Sequence, residues 1–110
     1  MSNERSPRKH TALRVLPNDL PAGLRLVGEV DLSTRMTLRT ALAGCDCSYD
    51  VHLYLSELAF IDVAGASTLV RHAARIGPQR RLFLHDSPPM LHRMIEMFWG
   101  KEIPISMSAS

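Results

Sequence analysis

The chain has 110 residues, of which 45% are hydrophobic and 22% charged, and its formal net charge is +2. That length fits one domain with a real core and excludes two lobes around a large cleft. Most of the excess charge lies in residues 1–10, at Arg5, Arg8, Lys9 and His10. The body is therefore close to neutral and carries no basic footprint for nucleic acid. The tail of residues 1–10 is expected to be frayed, solvated and disordered.

Two cysteines, Cys45 and Cys47, stand one residue apart. They are too close for an easy disulfide and too few for a secreted scaffold. No apolar run reaches the roughly 20 residues of a membrane span, and no charged start followed by an apolar stretch marks a signal peptide. The expected location is the cytoplasm.

Thr11 to Leu16 alternates like a strand, Pro17 to Gly23 is dense in turn formers, and Leu24 to Val30 reads as a second strand. The pair suggests an antiparallel hairpin. Asp31 and Ser33 are N-cap types for a first helix, with Leu38, Ala41 and Leu42 at helical spacing and Gly44 at its end. Val51 to Leu55 is nearly all apolar and suits a central strand buried on both faces. A second helix starts near Asp62; Ala66, Leu69, Val70 and Ala73 form its apolar stripe, with Arg71, His72 and Arg75 off it. Gly77-Pro78 stops it, and Arg81 to His85 reads as a last strand.

The third helix starts at Ser87-Pro88, with Leu91, Met94, Ile95 and Phe98 on its buried face and Gly100 at its end. The order β-β-α-β-α-β-α predicts an α/β fold. It is a small mixed β-sheet, an N-terminal antiparallel hairpin then βαβαβα, with helices packed on it. The expected domain spans residues 11–102, followed by a loose C-terminal tail over 103–110.

The informative stretch is Leu55 to Val70, LSELAFIDVAGASTLV. The Asp62 carboxylate can accept the backbone N–H of Ala64 or Gly65 and cap a helix whose dipole favours negative charge there. Gly65 leaves the first turn bare for another backbone to approach. The loop is expected at the carboxyl end of a parallel strand, where open α/β sheets bind ligands.

The run LYLSELAFIDVAG resembles the core motif of STAS domains. Gly28-Glu29-Val30-Asp31 resembles a second signature of that family, and Ser87-Pro88-Pro89 its usual entry to the final helix. Each motif is weak alone; together, in order, they cover about residues 11 to 100. The resemblance implies a STAS-like fold and a non-enzymatic protein-binding role in transcription regulation, like that of an anti-sigma factor antagonist. The implied partner is an anti-sigma factor that is a histidine-kinase-like protein in a partner-switching system. The implied contact surface comprises Asp31, Asp62, Val63, Ala64, Gly65, Ala66 and Ser67.

Phosphorylatable members of the family carry a Ser or Thr between the Asp and the Gly. A phosphate there adds a charge of roughly −1.5 to −2 in the middle of the docking surface. Here that pair is Val63-Ala64, without a hydroxyl, so phosphorylation at those positions is chemically excluded. Two consequences compete: permanent binding set by concentration, or membership of a divergent STAS group serving a transporter ATPase or another complex. Ser67 and Thr68 fall about a turn into the helix and read as ordinary helix residues.

His10, His52, His72, His85 and His92 show no metal-binding spacing, and nothing makes Cys45 and Cys47 converge with a histidine. No catalytic motif is present, and Asp31 and Asp62 read as helix caps rather than a catalytic carboxylate pair. No metal and no cofactor are expected. A nucleotide at the Asp62 helix start is disfavoured by the aspartate's own charge. Met90, Met94 and Met97 recur along the last helix, where core or flank packing outweighs a dimer or partner surface built on Met97 and Trp99.

Overall fold

The computed structural model describes residues 12–19, 22–45, 49–100 and 102–109. The expected tail of residues 1–10 and Cys47 lie outside them. Strand β1 (Arg14–Asp19) pairs antiparallel with β2 (Ala22–Val30), from Arg14 opposite Val27 to Asp19 opposite Ala22. Then follow α1 (Arg35–Ala43), β3 (Val51–Tyr54), β4 (Leu58–Ile61), α2 (Val63–Arg75), β5 (Leu82–Ser87), α3 (Pro89–Trp99) and β6 (Ile105–Ala109). The strands form one mixed sheet in the order β1-β2-β3-β5-β6, with β4 paired to β2. All pairings after the hairpin are parallel.

Pro17 lies inside β1 opposite Leu24, so the hairpin turn is shorter than its run of turn formers suggests. Proline is tolerated there because β1 is an edge strand. Strand β4 falls within the stretch read as a loop. A tight turn at Ser56-Glu57, closed by the Leu58 N–H on the Leu55 carbonyl (3.1 Å), lets the chain resume along β2.

The loose tail expected over 103–110 is corrected: Ile105–Ala109 forms β6, parallel to β5. The backbone ladder fixes it together with Ile105, which is buried, and with Arg81, whose Nε donates to Ser106 Oγ at 2.8 Å. Ser87 belongs to β5 and is fully buried; its hydroxyl donates to the Ser108 carbonyl (3.1 Å) and meets His92 Nε2 (2.6 Å). Helix α3 is capped by Pro88, with Pro89 in its first turn.

Helix and strand faces close on one core. Leu26, Val30, Leu53, Ile61, Leu82 and Leu84 from the sheet meet Leu38, Leu42, Ala66, Leu69, Leu91 and Ile95 from the helices. The alternate residues of β3 and β5 point the other way, so β3 is buried on one face only, not both. There His52 stacks on Phe83 (4.9 Å between centroids) and Tyr54 on His85 (4.6 Å), while His52 Nδ1 meets His85 Nε2 at 2.8 Å. On α3, Met94 packs against the core as expected, but Phe98 is exposed rather than buried and Trp99 packs there instead.

His72, expected off the apolar stripe, is buried at 5% exposure. Burial, and then the nearby Arg75 charge, push its pKa below the usual histidine value. His52 is lowered by burial and by His85, against an opposing effect of Asp50. Folded pKa values below the ordinary value of about 6.5 mean that the unfolded chain binds more protons near pH 6, so stability rises with pH there. Urea midpoints are expected to fall as pH drops from 7.5 to 5.5, and His72→Leu to flatten that slope. An unchanged slope in the variant would remove His72 from the account.

Candidate functional site

The ends of β2 and β4 place two aspartates side by side. Val30 pairs with Ile61, and the Asp62 N–H donates to the Val30 carbonyl at 3.1 Å. Asp62 adopts extended backbone geometry and caps α2: its Oδ1 accepts the Gly65 N–H at 2.7 Å, and its carbonyl accepts the Ala66 N–H at 2.9 Å. The expected cap is thus present.

Asp31 is arranged differently. Its Oδ1 accepts the Ser33 N–H (2.9 Å), the Ser33 hydroxyl (2.7 Å) and the Thr34 N–H (3.2 Å). The Ser33 hydroxyl above all holds the Asp31 carboxyl below its ordinary range, helped by both backbone donors and opposed by partial desolvation. The N-cap of α1 is Thr34, not Asp31 or Ser33. The Thr34 hydroxyl donates to the Glu29 carbonyl (2.7 Å) and accepts the Asp31 N–H (3.0 Å), which ties the turn to β2.

Gly65 does not wait for a partner's backbone. A Cβ there would lie 2.6 Å from Val30 Cγ1 and 2.8 Å from Ile61 Cγ1. The glycine therefore lets α2 settle onto the two strand ends of its own chain. Gly65 and Ala66 are both buried, so the expectation that they form contact surface is corrected. Their neighbours differ: Val63 is exposed, and Asp31, Asp62, Ala64 and Ser67 are half-exposed. Thr68 turns its hydroxyl back to the Ala64 carbonyl at 3.0 Å.

Around the two aspartates stand large apolar side chains that contribute little to the core. Leu32 is 76% exposed, Met36 61%, Val63 47% and Phe60 40%. Leu32 and Val63 directly follow the aspartates, Met36 lies in the first turn of α1, and Phe60 is the third residue of β4, beside Glu29. Sequence reasoning missed three of these four. Leu32 and Met36 gave a signal in being large apolar residues outside the Leu38/Leu42 stripe.

Among the described residues no group of three or more His, Cys, Asp or Glu could hold a metal ion. No helix there is long and apolar enough to cross a membrane. Cys45 is half-buried, near the Ala41 carbonyl.

No curated protein matches the chain. A family model described as "Mlab, STAS domain" matches residues 18–99, nearly all of the βαβαβα body and both aspartate loops. STAS domains are in general non-enzymatic binding modules. With that match over most of its length, and a mixed sheet carrying three helices as the sequence predicts, the chain belongs to the STAS domain family.

Proposed function

We propose that the protein is a non-enzymatic docking module that acts like an anti-sigma factor antagonist, binding an anti-sigma factor kinase in a partner-switching system. The observation that carries this reading is the apolar rim of Leu32, Met36, Phe60 and Val63 around two aspartates already satisfied by their own loops. Large side chains held in water at one end of a sheet gain by being covered. The carboxylates beside them add polar definition without needing to move. An Oδ1 engaged by local N–H groups is built to hold a loop in shape rather than to shuttle protons.

Val63 and Ala64 have no hydroxyl, so a kinase partner has no acceptor there by which to expel the module. Occupancy would then follow the relative concentrations of the two proteins. The same missing hydroxyl supports a second reading, an accessory subunit of a transporter ATPase, which would use the same rim without phosphorylation.

A tagged pull-down from native extract, analysed by mass spectrometry with Val63→Arg as control, tests the proposal. Recovery of a histidine-kinase-like anti-sigma factor that disappears with the variant is the expected result. Recovery of a transporter ATPase on the same terms would move the function to the second reading. Equal recovery with both baits would contradict the rim as the docking surface.

A further inference from the structure

Helices α1 and α2 enclose a cleft of about 390 Å³ whose lining differs from the rest of the surface. Arg35 and Arg39 stand one turn apart on α1, and Arg71 and Arg75 one turn apart on α2. All four line the cleft, and no acidic residue does. Among the described residues the ion pair present is Arg25–Glu57, on another part of the sheet; none of the four cleft arginines takes part in one. The polar contact recorded for them is the weak approach of Arg39 Nη1 to Met36 Sδ at 3.8 Å.

Like charges at i and i+4 work against both helices, and facing two such pairs across a cleft adds to that repulsion. A chain whose body is close to neutral gains nothing from this arrangement unless an anion enters it.

A second observation points the same way. His72 also lines the cleft, is 95% buried (5% exposed), and its Nε2 is buried without a hydrogen-bond partner. Buried polar nitrogens almost always have a partner, so this one, closed to solvent within a residue of the cleft wall, is an unmet hydrogen bond. Ser67 adds a hydroxyl to the same wall.

We propose that the α1–α2 cleft binds a phosphate group carried on a small molecule, with the four arginines supplying charge and forked donors and His72 Nε2 supplying a buried contact. Guanidinium forks match phosphate oxygens in pairs, and a cleft of this size is in the small-molecule range. It is too small for a folded segment of a protein partner. The site lies along the helix faces rather than at the Asp62 helix start, whose carboxylate would repel an anion. The inference does not rest on the docking reading, although Ala64 and Ser67 border both surfaces.

The test is an NMR titration of the full chain with pyrophosphate, reading backbone amides and the His72 imidazole nitrogens. Parallel titrations use inorganic phosphate, ATP and glycerol 3-phosphate to separate a free phosphate, a nucleotide and a lipid-like headgroup. The expected result is saturable binding of at least one of these, with shifts confined to α1, α2 and His72 Nε2. Arg39→Gln/Arg71→Gln should weaken it at least tenfold, and the control Arg14→Gln/Arg93→Gln less than twofold. Equal weakening in both double variants, an unmoved His72 Nε2, or saturation by a glutamate decapeptide and by none of the phosphates would overturn the proposal.

Discussion

Ala66→Arg is expected to unfold the domain, whereas Val63→Arg, three residues earlier on the same helix, leaves it folded. Ala66 has no exposed surface and belongs to the same buried core cluster as Val30, Ile61 and Leu69. A guanidinium there faces two costs. Overpacking a filled core costs about 1–3 kcal/mol. Holding a charge out of water without a partner adds several more, on the order of the penalty per buried ion. Their sum reaches the roughly 5–15 kcal/mol total stability of a small domain. Val63, by contrast, is 47% exposed at the first position of α2. A cation there meets the positive end of the helix dipole, at about 0.3–1 kcal/mol. Thermal melts by circular dichroism separate the cases. A cooperative Ala66→Arg transition within a few degrees of the parent would contradict this packing.

Gly28→Ala should be the most damaging change to a residue with no side chain. Gly28 has φ +118°, and a Cβ built there lies 2.2 Å from the Ala12 carbonyl oxygen, a backbone atom that cannot rotate away. The position matters because β2 changes partner at this point. The register against β4 shifts between Gly28 and Glu29, and the Gly28 N–H donates to the Glu57 carbonyl at 3.1 Å. The kink aims Val30 and Asp31 at the Asp62 loop. Forcing alanine into that backbone costs about 1–3 kcal/mol of strain, and the clash about 1–3 more. The entropy gained by stiffening the unfolded chain, about 0.4–1 kcal/mol, is too small to compensate. A loss of about 2–5 kcal/mol corresponds to a fall in Tm of roughly 10 °C or more at this size. A variant melting within about 2 °C of the parent would show that the Ala12 backbone, just before β1, yields more easily than this geometry implies.

The elements with strong periodicity were legible in the sequence. Leu38 and Leu42, then Ala66, Leu69 and Ala73, then Leu91 and Ile95 fall on their predicted faces and are buried. The hairpin and the Asp62 cap follow from local chemistry alone. What was not legible depends on distant partners. Strand β4 (LAFI) is four residues long, and β6 (ISMSA) is serine-rich and lies beyond a proline, so neither carries a strand signal until a neighbour supplies the ladder. His72 reads as polar, and only the packing of α2 shows it turned inward. Phe98 reads as core, but Trp99 packs there instead. At the site, sequence places Asp62 correctly as the cap of α2 but reads Asp31 as a cap where Thr34 serves. It cannot show that Gly65 and Ala66 face inward, nor that Leu32, Met36 and Phe60 gather around the aspartates, because β2 and β4 bring those loops together from distant stretches of chain.

The proposed docking surface is the apolar rim at the Asp31/Asp62 end. The most direct test is site-specific photo-crosslinking in the native cell, with benzoylphenylalanine placed at Met36, Val63 or Met97. Met97, 74% exposed on α3, is more accessible than either and serves as the control position elsewhere. One discrete crosslinked species is expected, shared by the Met36 and Val63 positions and missing at Met97. Crosslinking from Met97 with none from Met36 or Val63 would contradict this placement and move the docking surface to α3.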